Sequence, residues 1–449
     1  FDMRLLGFTA TVAVLTGLLF SLAPALHALR RGPSALGDGG RGSQTRTRLR
    51  AGQAVVALQV TLSVVLLFGA ALFVRTLINL KSVDTGFTAA GVTTITVDAV
   101  LRPAVSPDRP GEFAAERAGI GQMWQGLADR IGALPGVESA AVAALTPFSG
   151  AYRGVRLVVI GPAAQGDSGI GLNQVTPTYF DTFRMRVVKG RPFVAEDRAG
   201  SAKVAILNQS AARHHFGEAD PIGRRVRFPR PGESGDYEVI AIVADVRYES
   251  LRLPPNRMAY VPLEQALDRI GRATIAVRAA VDMTALVPAI RGEIREHIPG
   301  GLVGSITSAS HEVDEALLQE RLVSLLATVF GALALALACI GLYGVLSYSV
   351  VRRTREIGIR VAVGAQPAGV AWLVLRETIV VVACGVAVGV PVALWVARFV
   401  ERQLFDVTSR DPRAIADAIL SFILVAAIAG LIPARRASRI DPIHALRCE

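Results

Sequence analysis

Five stretches of this chain carry no charged residue and are long enough to matter to a membrane: Leu5–Leu26, Ala54–Val74, Leu322–Val351, Thr378–Ala397 and Ala418–Ala434. The bilayer core is about 30 Å thick, so a helix rising about 1.5 Å per residue needs about 20 residues to cross it. The first four qualify outright. Ile415 and Ala416 lengthen the fifth past Asp417, which can sit near the interface. One such run could be the core helix of a soluble domain, but five specify a membrane protein. The residues are 51% hydrophobic but only 6% aromatic, so the excess is aliphatic, as lipid-facing helices require.

A formal charge of +11 could serve a nucleic acid or a membrane surface, and the position of the arginines decides. Arg30, Arg31, Arg41, Arg46, Arg48 and Arg50 follow the first run, Arg352, Arg353, Arg355 and Arg360 the third, and Arg435, Arg436, Arg439 and Arg447 the fifth. Alternation puts all three groups on one side, which the positive-inside rule makes the cytoplasm. The long segment Arg75–Arg321 and the loop Glu401–Arg413 then lie outside. The basic balance is a topology signal, no nucleic-acid motif is present, and no nucleic-acid partner is expected. Cys339, Cys384 and Cys448 give neither a disulfide framework nor a zinc pattern.

The first and last apolar segments match at a fixed offset. Asp2/Asp411, Arg4/Arg413, Leu15/Leu424, Leu22/Leu431, Pro24/Pro433, Ala25/Ala434, Ala28/Ala437, Arg30/Arg439 and Pro33/Pro442 all pair. Two prolines, two arginines and an aspartate in register point to duplication. Residues 1–32 are then the last transmembrane helix of a preceding unit of the same kind. The chain does not begin with Met, and further membrane spans are expected upstream.

Between Arg75 and Arg321 the pattern is α/β. Strands are predicted at Val92–Val100 and Val137–Leu145, around a helix Glu112–Leu134 that ends at Pro135-Gly136. The pattern returns as strand Thr274–Arg278, helix Met283–Ile298 and strand Leu302–Thr307. Two β-α-β units enclosing an insertion suggest a ferredoxin-like sandwich split by a β-rich lobe, from about Gly150 to Arg272. That lobe should include strands Val155–Ile160, Lys203–Leu207 and Tyr237–Val243. Ala309–Gln319 has helical character and is expected to run unbroken into the third apolar run as a stiff lever. Arg75–Leu80 could act likewise from the other side.

Much chemistry is missing. There is no phosphate-binding G-x-x-x-x-G-K-[ST], no H-E-x-x-H and no G-x-S-x-G. His214 and His215 are adjacent on a predicted helix Gln209–Phe216, where neighbours point about 100° apart, so they do not form a one-faced metal pair. The apolar runs lack the carboxylates, lysines and arginines of a proton path. Gly331, Gly341, Gly344, Gly385 and Gly389 suit close helix packing instead.

After the third run comes Arg352-Arg-Thr-Arg-Glu-Ile-Gly-Ile-Arg-Val-Ala-Val-Gly-Ala365. It starts as helix, stops near Gly364, and Pro367 suits the first turn of the next helix. Ile357, Val361 and Gly364 share a face. On these grounds it either docks a partner or anchors on lipid headgroups.

Thr354–Ala365 resembles the signature of FtsX/MacB-type ABC transporter permeases, and Pro433–Arg447 is similar to that family's ending. Thr176-Pro-Thr-Tyr-Phe-Asp-Thr-Phe183, Lys189-Gly-Arg-Pro-Phe193, Val204–Asn208, Asp220–Arg224 and Val239–Arg247 resemble the MacB-type periplasmic domain. The duplication resembles double-unit permeases found in Acidobacteria. The resemblance implies an α-helical membrane protein: a four-helix FtsX-like permease unit plus one preceding helix, with a large α+β extracytoplasmic domain. It divides the chain into helix 1–32, a cytoplasmic linker 33–53, a transmembrane helix 54–74, a periplasmic domain 75–321 and an FtsX-like domain 322–449 with a coupling segment 352–376.

It further implies that Thr354, Arg355, Glu356, Ile357, Gly358, Ile359, Arg360, Ala362, Gly364 and Ala365 rest on an ATP-binding subunit. The chain itself would be no enzyme and hold no cofactor, ATP being bound by the partner. The other partners implied are a second permease unit, upstream in the same chain, and a periplasmic adaptor or membrane-fusion protein. The location implied is the cell inner membrane, multi-pass, with the large domain in the periplasm. The expected function is an export or mechanotransmission permease that couples ATP hydrolysis on the partner to motion of the periplasmic domain and efflux of a substrate. The alternative is an FtsX-like regulator of an extracytoplasmic cell-wall hydrolase. The length of the external segment suits the first better.

Overall fold

The computed structural model describes residues 41–101, 110–150, 153–161, 168–229, 235–265, 268–352 and 367–437. The expected helix over 1–32, and with it half of the duplication, lies outside them. The described chain falls into two compact units, one made of 41–63, 335–352, 367–389 and 423–437, the other of 64–334 and 390–422.

Four helices among the described residues are long and apolar enough to cross a membrane. They are α1 (Arg41–Lys81), α7 (Leu318–Arg352), α8 (Pro367–Val400) and α9 (Pro412–Ala437). Helix α1 begins at Arg41, inside the segment read as a linker. From Ser43 to Ala51 that segment has no Gly or Pro and three arginines, which are good helix formers. In the first unit, α1 meets α7 and α8 at small residues. A Cβ on Gly385 would lie 2.6 Å from Val60, and the bare Gly385 carbonyl instead accepts from Thr61 Oγ1 at 3.0 Å.

In the second unit, Phe68 and Leu72 of α1 are buried with Ala393 and Ala397 of α8 and Ala414 and Ala418 of α9. Here too small side chains opposite large ones let backbones approach.

The rest of the second unit is an α/β domain. Four of its strands are β1 (Val92–Asp98), β2 (Val137–Ala143), β10 (Arg272–Ala279) and β11 (Leu302–Ser308). They lie antiparallel in the order β11-β1-β10-β2. Two helices belong with them, α2 (Pro110–Gly132) and α5 (Met283–His297). Their apolar stripes, Trp124, Leu127 and Ile131 on one and Leu286, Ile290 and Ile294 on the other, share one core with Ile95, Ile275 and Val277. Strand alternation sends one side chain in two to that face.

Between β2 and β10 the chain forms β3 (Gly154–Ile160), β4 (Ser168–Val175), β5 (Val187–Gly190), β6 (Val204–Asn208), β7 (Arg225–Arg227), β8 (Tyr237–Val243) and β9 (Met258–Pro262). Hydrogen bonding runs β4-β3-β7-β8-β6-β9, and β9 returns to pair with β4 in parallel. The ring therefore closes on itself, which removes exposed edges. Its core holds Leu157, Leu172, Leu207, Val226, Phe228, Tyr237 and Val239. Two short helices flank it, α3 (Tyr179–Thr182) and α4 (Gln209–Phe216).

His215 of α4 is fully buried. Burial, with the nearby charges of His214 and Arg257, lowers its pKa from 6.5 to about 4. The unfolded chain therefore binds the proton first as pH falls. Stability should be flat above pH 6.5, decline through the window down to about 4, and lose about 3 kcal/mol in all at this site. Denaturant melts of the wild type and of His215→Gln across that window check this. A decline of equal size in the variant would refute it.

One expected element is different. The helix after β11 does not continue unbroken: α6 (Ala309–Ala316) stops, and α7 starts at Leu318. Leu317 sits between them at φ −100°, ψ 3°, with no Gly or Pro to announce it. Its side chain is buried against Leu80 and Leu251, so tertiary packing, not propensity, sets the break.

Candidate functional site: the joint at the membrane exit

The residues expected to couple to an ATP-binding subunit, Thr354 to Ala365, lie outside the described residues. What the structure places together is the opposite end of the helices, in the second unit. There the last turns of α1, the start of α7 and the turn between α8 and α9 meet one loop of the α/β domain, Ala244–Pro255.

Helix α1 reaches the α8–α9 turn through polar contacts. Arg75 Nη1 donates to Asp411 Oδ2 at 2.6 Å, and Asn79 Nδ2 to the Asp406 carbonyl at 3.0 Å. Asp411 also caps α9, accepting at Oδ1 from the Arg413 N–H at 2.9 Å, with Pro412 in the first helical position. Burial works against the charge of Asp411, but the Arg413 amide and the Arg75 guanidinium outweigh it and hold its carboxyl below the usual range.

The domain loop reaches the helices through Arg252. Its Nε donates to Glu320 Oε1 of α7 at 2.8 Å, and its Nη1 to the Gln403 carbonyl after α8 at 2.9 Å. One planar fork thus ties the start of α7 to the turn after α8, its Nε and Nη1 donating in fixed directions that a lysine's single ammonium does not reproduce. The Arg252 side chain is 32% exposed and that of Glu320 15%. Glu320 Oε2 is buried with no hydrogen-bond partner among the described residues. Under this clasp Leu80, Leu251 and Leu317 form a buried apolar contact, flanked by Phe148 and Phe405.

The loop is rooted in the domain core. The Tyr248 and Tyr179 hydroxyls share a hydrogen bond of 2.7 Å, and Asn173 Nδ2 donates to Tyr248 Oη at 3.2 Å. The Phe148 N–H donates to the Tyr248 carbonyl, and the Arg247 N–H to Thr85 just past α1. Gly86, at φ +80°, lets that crossing pass: a Cβ there would lie 2.0 Å from the Asp245 carbonyl. The start of α7 and the α8–α9 turn are thus joined to the domain core by a short chain of hydrogen bonds and apolar contacts.

The sequence reading missed Arg252, Glu320 and the Arg75–Asp411 pair. Asp411-Pro412 is a helix-start signal that could have flagged one end. Nothing local marks Arg252, whose partners stand 68 and 151 positions away.

The family model described as the MacB-like periplasmic core domain matches residues 54–294, and that described as FtsX-like permease C-terminal matches 328–442. The pyoverdine export ATP-binding/permease protein PvdT of Pseudomonas savastanoi pv. phaseolicola is 27% identical over 327 residues, covering 71% of this chain and 47% of its own. The macrolide export ATP-binding/permease protein MacB of Azoarcus sp. is 30% identical over 274 residues, 59% of this chain and 40% of that one. This chain spans about half the length of such relatives. The crystal structure of the periplasmic region of MacB from Actinobacillus actinomycetemcomitans aligns with a TM-score of 0.32 at 17% identity, covering 50% of this chain and 92% of that one. With the core-domain match over more than half its length, and permease helices following, this chain belongs to the MacB/FtsX-type family of ABC transporter permeases, as a membrane protein with a MacB-like periplasmic domain.

Proposed function

We propose that this chain is the permease part of an ABC-type export complex of the cell inner membrane. It passes motion from an ATP-binding partner through its helices to the periplasmic domain, and so drives efflux of a substrate. The observation that supports this best is the Arg252 clasp, which ties two helix ends to one loop of the domain. The helices fit the part of a linkage: from Ala54 to Val74, Leu322 to Val351 and Thr378 to Ala397 they carry no charge, so they offer no polar path. ATP is bound and hydrolysed on the partner. A second permease unit and a periplasmic adaptor complete the complex. The relatives named for export favour this reading over a regulator of a cell-wall hydrolase.

In this reading Thr354–Ala365 takes the stroke on the cytoplasmic side. The chain alone should show no ATPase activity and the partnered complex should. Glu356→Ala or Gly358→Leu should separate hydrolysis from export in proteoliposomes, with membrane insertion intact. Unchanged export in both variants would remove the coupling role from this segment.

A further inference from the structure

The joint holds a half-open cavity of about 440 Å³. Its wall includes Phe73, Thr76, Arg252, Glu320, Val323 and Arg402. Apart from Arg252 of the domain loop, these come from the outer ends of α1 and α7 and from the turn just after α8, where the apolar spans stop and lipid headgroups would begin.

Its charge is unbalanced. Arg252 is matched by Glu320, the one carboxylate in the wall among the described residues. Arg402 is exposed and makes no ion pair among the described residues. Ser250, Thr76 and Gln319 add groups able to donate hydrogen bonds. The other side is apolar. Val323 leads along one face of α7 to Leu326 and Phe330, three and seven positions on, which are 53% and 56% exposed. A net positive, donor-rich hollow that opens onto an apolar helix stripe matches a molecule with an anionic head and an apolar tail. The volume suits a head and its first carbons, not a whole lipid.

We propose that this cavity binds the head of an anionic amphiphile. A phosphate or carboxylate rests on Arg402 and the neighbouring donors, and the chain runs along Val323, Leu326 and Phe330. Two sources share that chemistry, a membrane phospholipid and an exported amphiphile. The proposal does not rest on coupling to ATP, since binding is read on the chain alone.

The test is photo-crosslinking of the full chain, with adducts mapped by mass spectrometry. A diazirine fatty acid is used in detergent, and a diazirine phosphatidylglycerol in nanodiscs. Adducts are expected on the segment 316–330. Arg402→Ala should reduce them about tenfold, the loss of one charge-assisted contact, and Arg402→Lys should restore most of them. Val323→Trp, which fills the cavity, should reduce them as much, and a diazirine fatty alcohol should label far more weakly. Labelling by phosphatidylglycerol that the free acid cannot displace assigns the site to membrane lipid. Labelling by the free acid that phosphatidylglycerol cannot displace assigns it to cargo. Equal labelling by acid and alcohol, or labelling that Arg402→Ala leaves unchanged, overturns the proposal. Arg402 is exposed, so its variants keep the test valid even if Val323→Trp folds poorly.

Discussion

Arg252→Ala should cut export by a reconstituted complex about tenfold or more, while ATP hydrolysis by the partner persists. Hydrogen bonds to charged groups contribute about 1.5–3 kcal/mol. Both groups of this pair are partly exposed, so a value near the lower end, about 2 kcal/mol, is apt. That shifts the ratio of clasped to unclasped joint by roughly thirtyfold. The variant also leaves Glu320, already short of one partner, without its Arg contact. Graded variants sharpen the result. Arg252→Lys loses the fork and should lie between wild type and Ala. Glu320→Gln keeps an acceptor oxygen for Arg252 and should be milder than Arg252→Ala. Hydrogen exchange over 246–256 should rise in step with the loss of export. Full export from Arg252→Ala, with exchange in that loop raised, would show that the clasp holds structure but transmits nothing.

The sequence made the periodic elements plain and the closures obscure. The strand Tyr237–Val243 and the helix Gln209–Phe216 stand where their patterns place them, because alternation and helical spacing are local signals. Strand β4 did not show itself. Its Gly169, Gly171, Asn173 and Gln174 suit a loop, and pairing with β3 on one side and β9 on the other makes it a strand. Strand β9 follows two prolines and ends in a third, a context that usually demotes a strand. It is wholly buried because it closes the ring. The break at Leu317 belongs to the same class, being set by burial against two residues distant in sequence. The joint was illegible for that reason: its parts, Arg75, Arg252, Glu320 and Asp411, are single charges in unrelated segments. The coupling segment was the reverse case. Its motif was read from sequence, and it lies outside the described residues.

Trp124→Ala is expected to cost the periplasmic domain about 4 kcal/mol, the range for emptying a large aromatic from a packed core. Trp124 is fully buried among Leu127, Ile131, Ile275, Val277 and Ile290, where helices α2 and α5 cover the four-stranded sheet. Its Nε1 donates to the Ile270 carbonyl at 2.8 Å, just before β10, so the side chain also fixes where the chain re-enters the sheet from the ring of strands. The substitution leaves a void and an orphaned carbonyl. Trp124→Phe refills most of the void and loses the donor, so it should cost about 1–2 kcal/mol. For a domain of this size about 4 kcal/mol corresponds to a fall in melting temperature of about 10 °C. Calorimetry on the full chain in detergent reads this transition, and near-ultraviolet dichroism assigns it to the aromatic core. If Trp124 is the keystone between sheet and ring, the Ala variant should also raise hydrogen exchange in β10, while Phe leaves it near wild type. A fall of under about 3 °C for Ala would mean that the helices and sheet hold together without it.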